Sequence, residues 1–321
     1  MIVASICYQE LVQETERFEV LVHANSNVRG VKVLTGRYPV NSDCGWTGKT
    51  KRYSIAVKFA QPLVNVPRVA VGLNKIYIGL TDTRSVRVES FASSITRGGF
   101  TCNAVSWKDG ILHCATVDWI AIVDEPTWQK GLFKSSNFMI KKWGLEERVQ
   151  FDEPFADGPP ILFACLSSIE MVGKWSVRIY TTDIDHTGFT VGIVNSGEEG
   201  GSSENLVSAS VTWIAIPVSE FMKKKNAWIG AFTTDIGKAF DLDKCGPGGW
   251  RGHVEFGFEF RRRPKIFVGF RQFCVNNDVN LRLETSTSNV TTSGMDWELG
   301  KWGDTNLLSA GVNFLAIDAD T

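Results

Sequence analysis

The tetrapeptide Trp-Ile-Ala-Ile stands at residues 119–122 and again at 213–216, and Phe-Leu-Ala-Ile takes its place at 314–317. The copies end at residues 122, 216 and 317, which divide the 321-residue chain into three parts of similar length. Short runs rich in β-branched and aromatic residues are typical of buried strands. A spacing of this length indicates one repeated folding unit, provided that other features recur in the same order.

Four further features precede each copy in a constant order. A strand ends in Phe, a proline turn leads into a long apolar run, an arginine stands between apolar residues, and a glycine restarts a strand. These features are Phe59, Phe151 and Phe256; Pro67, Pro160 and Pro264; residues 86–88, 177–179 and 281–283; and Gly99, Gly188 and Gly294. Proline suits a strand entrance because it lacks an amide donor, and glycine suits a turn that needs positive φ. The predicted units are 31–123, 134–217 and 227–318, after an unassigned segment 1–30.

About six short strands per unit predict an all-β fold of three tandem six-stranded antiparallel β-sandwiches. The run 68–73 is expected to be buried on both faces. Because similar units should pack through similar surfaces, the chain is expected to close on itself as an intramolecular pseudo-trimer. One stretch, residues 8–20, has a helix-like composition with poorly phased apolar positions.

Composition and motifs exclude several functions. Lys and Arg number 34 against 35 Asp and Glu, which argues against nucleic acid as a partner. Apolar runs stay well below 18 residues, so membrane insertion is not expected. The sequence contains no HExxH, Walker loop or GxSxG, and no GxGxxG at a strand–helix turn, so we expect no enzyme activity and no cofactor.

The seven cysteines show no CxxC spacing, which argues against a metal site or a redox pair. They are interpreted as buried free thiols, although a bridge across a sandwich stays open for some pairs. The first residues lack a basic segment of the secretory kind. We therefore expect a cytoplasmic protein, or one released without a signal peptide, and an extracellular location stays open.

The ordered features, together with Trp302-Gly303-Asp304 and the closing strand 312–316, resemble the H-type lectin domain. This is the carbohydrate-recognition domain of snail agglutinins and of the C-terminal part of discoidins. The resemblance covers about 270 residues, the three predicted units together. It implies six-stranded sandwiches that associate as trimers and bind N-acetylgalactosamine or galactose near the subunit interfaces. By resemblance, this chain would be such a trimer fused into one polypeptide.

The resemblance also implies a sugar site built from a strand arginine, an aromatic residue about twenty positions later, the next residue, and an earlier loop Asp. Two units share the interval from arginine to tryptophan, since 107 − 87 and 302 − 282 are both 20. The implied carbohydrate-binding residues are Arg87, Trp107, Lys108, Arg282, Trp302, Gly303, Asp304 and Asp243. The loop Asp has no direct counterpart, and Asp43 and Asp243 are the nearest substitutes. The family's aromatic contact falls near His113, which could equally be an ordinary strand residue.

The second unit carries Arg178 but no tryptophan at the corresponding interval, so its site is predicted to be degenerate. The strand arginines Arg87 and Arg282 could also be solvated or edge-strand residues.

These residue types suit a sugar that is bound without reaction. An indole offers a rigid apolar face to the C–H side of a galactose-type ring. An arginine fork can hold two ring oxygens, and a carboxylate accepts from two hydroxyls. The sequence thus predicts a lectin that recognises galactose- or N-acetylgalactosamine-type glycans multivalently, with glycans or glycoproteins as partners. The alternative is a non-catalytic structural or protein-interaction module with decayed sugar sites. Stacking of two pseudo-trimers stays open.

Overall fold

The computed structural model describes residues 18–22, 33–40, 52–123, 127–135, 144–173, 175–195, 206–219, 221, 225–234, 249–276 and 278–318. Within these ranges its elements are nineteen β-strands, six in each of three units and one before them. The all-β prediction is therefore confirmed. In the described part of the chain, no helix reaches the length and hydrophobicity of a membrane span.

The strands have the following bounds. Strand β1 is Phe18–Val22. The first unit contains β2 (Val33–Val40), β3 (Arg52–Phe59), β4 (Arg68–Gly79), β5 (Ser85–Thr96), β6 (Gly99–Val105) and β7 (Ile111–Ile122). The second contains β8 (Gln129–Lys134), β9 (Leu145–Gln150), β10 (Ile161–Val172), β11 (Trp175–Thr182), β12 (Gly188–Val194) and β13 (Leu206–Ile216). The third contains β14 (Ala227–Thr233), β15 (Trp250–Glu255), β16 (Lys265–Val275), β17 (Leu281–Ser288), β18 (Gly294–Lys301) and β19 (Leu307–Ile317).

Every sheet crosses a boundary between units. The orders are β3-β6-β5-β10-β13-β8, β9-β12-β11-β16-β19-β14 and β15-β18-β17-β4-β7-β2, and β1 adds a parallel edge strand beside β3. Three strands of one unit continue into three strands of the next, and the third unit returns to the first. The strands at the three junctions pair antiparallel. The chain is therefore a closed pseudo-threefold ring, as expected, and each junction pairs the strand edges over four or five residues.

The repeated tetrapeptide serves two cores through the alternation of a strand. In the first unit Trp119 and Ala121 belong to the sandwich core, whereas Ile120 and Ile122 belong to the central core where the three units meet. The tryptophan ring reaches across the sandwich to Phe100, with the ring centroids 5.2 Å apart. The other two units repeat this division, so each closing strand is buried on both faces.

Close packing at the centre depends on one cysteine facing two glycines. A Cβ atom at Gly72 would lie 2.9 Å from Sγ of Cys165, and one at Gly269 would lie 2.5 Å from Cβ of the same residue. All three occupy equivalent positions on β4, β10 and β16, opposite Asp118, Thr212 and Asn313. The fused chain can therefore fill its centre asymmetrically, which a trimer of identical subunits cannot do.

Side chains beside this centre bridge the units. Asp118 accepts a hydrogen bond from the amide of Val268 at 3.3 Å and from Nε of Arg37 at 2.8 Å. Asn313, its counterpart in the third unit, donates to the carbonyl of Ala164 at 2.8 Å. Burial raises the pKa of Asp118, although the Arg37 guanidinium opposes the shift.

Three details refine the sequence-based expectations. The second unit begins with β8 at Gln129, before the predicted boundary of 134. Its strand carries no buried side chain and so lacks the alternating signal. Residues 18–20 of the helix-like stretch lie in β1, and the rest of that stretch lies outside the described residues. Cys102, Cys114, Cys165 and Cys274 form no disulfide bond.

Enlarging Gly72 tests the central packing. We expect Gly72→Ala to lower the free energy of unfolding by about 1–3 kcal/mol, because the new methyl group overlaps Cys165. Cys165→Ala in the same chain should recover part of the loss, as measured by urea unfolding in a double-mutant cycle. Gly98→Ala is the control, since its nearest neighbour would be 3.9 Å away. If the stability losses of Gly72→Ala and Cys165→Ala simply add in the double variant, the proposed contact between these two positions is contradicted.

Replacing Asp118 with Asn tests the buried carboxyl. Its raised pKa means that the folded state binds the proton more tightly than the unfolded state. The resulting stabilisation is full at low pH and is lost as the pH rises through the folded-state pKa. Wild-type stability relative to Asp118→Asn should therefore fall in urea unfolding as the pH rises above about 4, the ordinary value of an aspartate pKa. A constant difference across that range would contradict this electrostatic account.

Candidate functional site

Each junction between units places one residue of the incoming strand opposite one residue of the next unit. In the first groove (β5 against β10) Arg87 faces Glu170. In the second groove (β11 against β16) Ser176 faces Cys274. In the third groove (β17 against β4) Arg282 faces Tyr77. Because the ring repeats one strand arrangement, the three grooves lie at the same end of the molecule, where β6 and β18 lead into β7 and β19.

The third groove brings together the predicted arginine and tryptophan through a tyrosine from another unit. The Arg282 guanidinium carbon lies 4.8 Å from the ring centroid of Tyr77. Trp302 meets the same tyrosine edge to face, with the centroids 6.0 Å apart. The ammonium of Lys75 lies 4.6 Å from the Trp302 ring centroid, and Asp304 accepts a hydrogen bond from Arg282. The groove thus combines two aromatic rings, two cations and a carboxylate.

Two further residues shape the third groove. His113 packs on Tyr77 with the ring centroids 4.4 Å apart. Burial and the nearby Arg282 lower the pKa of His113, which favours the neutral imidazole. Gly303 has a φ of 62°, and a Cβ atom there would lie 2.9 Å from Nη1 of Arg282. A side chain at this position would therefore crowd the guanidinium of Arg282, whose side chain is 11% exposed.

The first groove is a closed ionic cluster. Nε of Arg87 donates to Oε1 of Glu170 at 3.0 Å, and its Nη1 pairs with Asp109. Nζ of Lys108 also donates to Oε1 of Glu170, at 2.7 Å. The Arg87 side chain is only 7% exposed, whereas the Lys108 side chain is 63% exposed. The arginine is thus held from both sides beneath the half-buried Trp107 turn.

One turn geometry positions the polar residues in both grooves. Lys108 follows its tryptophan at φ 53° and Gly303 follows its tryptophan at φ 62°, both in the left-handed region. Asp109 and Asp304 come next, and each pairs with the arginine of its own unit. Asp109 is therefore the counterpart of Asp304, which the sequence reasoning missed although its position after the tryptophan is the same.

The second groove corrects the assignment of Arg178. Strands β6 and β12 both have seven residues and start at glycine. The last residue of β6 pairs with Glu89, and that of β12 pairs with Arg178. Arg178 is therefore the counterpart of Glu89, and buried Ser176 stands where the first unit has Arg87. Two residues, 173–174, connect β10 to β11, whereas five residues, 80–84, connect β4 to β5. Because the connection is shorter, the arginine motif of the second unit lies further along its strand than that of the first unit.

Other predicted and missed residues complete the comparison with the sequence. Asp43 and Asp243 lie outside the described residues. Glu170 and Tyr77 were missed because they come from the neighbouring unit, and no sequence interval connects them to Arg87 or Arg282.

Burial raises the pKa of Glu170, but hydrogen bonds from Lys108 and Arg87 outweigh this effect, so the net shift of the pKa is downward.

The carboxylate of the third groove is also held in its charged form. Hydrogen bonding from Arg282 lowers the pKa of Asp304, although the side chain is mostly exposed. Asp304 therefore offers a charged acceptor at the rim of the groove at neutral pH.

A ring of three β-sandwiches that presents guanidinium, indole and carboxylate groups in grooves between units defines a binding protein. The described ranges contain no cluster of three or more His, Cys, Asp or Glu side chains that could hold a metal ion. The chain belongs to the H-type lectin family. The sequence pattern of the H-type lectin domain matches residues 54–122, 146–216 and 251–317, well over half of the chain. The chain is thus built from three copies of a lectin domain.

Similar proteins are also found among curated proteins and solved structures. A protein of Fuscovulum blasticum named "ATP synthase subunits region ORF 7" is 31% identical over 72 residues, which are 22% of this chain and 63% of that protein. The chain thus spans slightly less than two thirds of that relative. One structure of discoidin II of Dictyostelium discoideum is 14% identical, covering 60% of this chain and 96% of that one with a TM-score of 0.25. Another is 16% identical, covering 59% and 93% with a TM-score of 0.23.

Removing the Glu170 charge tests the ionic cluster of the first groove. We expect Glu170→Gln to lower the free energy of unfolding by about 1–3 kcal/mol, because buried Arg87 loses a charged partner. The matched control is Glu284→Gln, which breaks the more exposed pair with Lys75 and should cost less than about 1 kcal/mol. Urea unfolding measures both variants, and equal losses would contradict the difference in burial.

Proposed function

We propose that this chain binds galactose- or N-acetylgalactosamine-type glycans multivalently, through the third groove and the first groove. Glycans and glycoproteins are the partners. The second groove does not contribute a site of the same kind, because Ser176 and Cys274 replace the charged and aromatic residues of the other two. The binding is non-covalent and needs no cofactor.

The third groove carries the proposal. Arg282 and Trp302 of one unit meet Tyr77 of another. A galactose-type ring has an apolar C–H face that suits an aromatic wall. Its hydroxyl groups suit the donors of Arg282 and the acceptor Asp304, which remains mostly exposed. Specific recognition would come from these few directed polar contacts beside an apolar surface.

The closed ring explains how weak single sites could be useful. A small polar ligand buries little surface and competes with water, so one site binds weakly. Two grooves at the same end of one rigid ring can engage a clustered glycan together, which raises the apparent affinity without new contacts. The sheets that cross the unit boundaries keep this spacing constant.

A protein-interaction module is the second candidate, and the first groove favours it. Lys108 and Arg87 both bind Glu170 there, and Asp109 also binds Arg87. A groove whose charged groups satisfy each other could be a structural remnant. Stacking of two rings at their glycan-free ends would suit the same alternative.

A glycan array with tryptophan variants tests the proposed function. Trp302→Ala should weaken binding to clustered galactose-type glycans at least tenfold, and the Trp107→Ala, Trp302→Ala double variant should abolish it. The reason is the loss of the aromatic wall and of bivalent attachment. Trp228→Ala, which removes a half-buried tryptophan stacked on Phe221 away from the grooves, is the control and should bind normally.

Two outcomes would contradict the proposal. Folded wild-type protein that binds no glycan on a broad array would leave only the interaction module. Glycan binding that survives in the folded double variant would place the sugar site elsewhere.

A further inference from the structure

The first groove carries a carboxylate at a strand position where the third groove has none. In the third groove, the strand position opposite the arginine is held by the uncharged Tyr77. In the first groove the position is held by Glu170, which is 11% exposed and paired with Arg87. Asp109 adds a second carboxylate beside the same arginine. The first groove therefore has two carboxylates around one buried guanidinium.

Lys108 offsets the additional negative charge of this cluster and reaches it from the solvent side. Its Nζ atom lies 2.7 Å from Oε1 of Glu170, the oxygen that also accepts from Arg87. The Lys108 side chain is 63% exposed, against 7% for Arg87. Because the lysine reaches Glu170 from the solvent side, it can leave the cluster without stranding a buried cation. Lys108 is consequently the replaceable cation of the cluster, and Arg87 is the fixed one.

Displacing Lys108 leaves a groove that fits a monovalent cation. Arg87, Glu170 and Asp109 then carry a net charge of −1 by formal count. Hydrogen bonds from Thr83 and Ser85 already engage Oδ2 of Asp109, so Glu170 is the carboxylate that becomes available. An incompletely paired, largely buried carboxylate is costly, and an ammonium group from a ligand would restore the pairing.

We propose that the first groove selects saccharides with a free, protonated amino group, whose ammonium replaces Lys108 on Glu170. This inference rests on the proposed sugar-binding function of the grooves. The sugar ring lies along the turn that carries Trp107, and Lys108 acts as an internal competitor that occupies the groove in the absence of ligand. The third groove, with Tyr77 in place of Glu170, lacks this preference, and neutral sugars bind the first groove more weakly than amino sugars do.

The test uses the full-length Trp302→Ala chain, in which the third groove is disabled. Calorimetric titration compares galactosamine with galactose and N-acetylgalactosamine at about pH 6. At this pH the 2-amino group of galactosamine, like the α-amino group of a peptide, is protonated. We expect galactosamine to bind roughly tenfold more tightly than either neutral sugar, as a charge-assisted hydrogen bond would give. Added Lys108→Ala should strengthen galactosamine binding several-fold, because the competitor is gone.

Charge variants separate the amine contact from a general effect of charge. Glu170→Gln should abolish the preference for galactosamine. Lys134→Ala is the matched control, because it breaks another exposed lysine–glutamate pair of the same sheet, with Glu89 at 3.3 Å, and should leave the preference unchanged. If Glu170→Gln does not fold, the gain in Lys108→Ala still decides the matter.

The failures can be told apart. If wild-type protein binds no sugar at all, the proposed function and this inference fall together. If wild-type protein binds neutral sugars but the Trp302→Ala chain shows no preference for galactosamine, the inference alone is overturned. An unchanged galactosamine affinity in Lys108→Ala also overturns it, because Lys108 would then not occupy the ligand's position.

Discussion

Backbone pairing between units is the constraint on which the structure depends. Each unit supplies two three-stranded halves, and each half completes its sheet with a half from a neighbour. A unit separated from the ring would expose the edge of β4 at residues 75–78 and that of β5 at residues 85–89, or their counterparts. The grooves exist only because these edges are joined, since their two walls belong to different units. Fold and candidate site are thus consequences of one set of strand pairs.

Fusion of three units into one chain permits asymmetry that a homotrimer cannot have. The centre is filled by Cys165 against Gly72 and Gly269, a combination that needs three different sequences. The grooves diverge in the same way, with an ionic cluster at the first, Ser176 and Cys274 at the second and aromatic residues at the third. A trimer of identical subunits would carry the same residues, and therefore the same chemistry, in all three grooves. A single chain can combine different chemistries at a fixed spacing.

Local sequence patterns predicted the architecture well because they report on burial and turns. The Trp-Ile-Ala-Ile copies, the proline entrances and the turn glycines each reflect a requirement that acts within one unit. The interval from Arg282 to Trp302 also succeeded, since both lie in one unit. Tyr77 and Glu170 could not be found this way, because they reach the grooves through pairing between units. The assignment of Arg178 was wrong because its flanking residues match the motif of Arg87. In the structure a shorter connection places Arg178 two positions beyond the counterpart of Arg87.

The central claim is that a saccharide lies against the tryptophans of the junction grooves. Nuclear magnetic resonance of the indole N–H groups during a galactose or N-acetylgalactosamine titration tests it most directly, with single Trp→Phe variants to assign the signals. The account predicts shifts for Trp302 and Trp107, with the Trp107 shift reached at a lower concentration of an amino sugar, while buried Trp119 and Trp213 stay constant. Shifts confined to Trp228, or indole signals unchanged at saturating sugar, would contradict it.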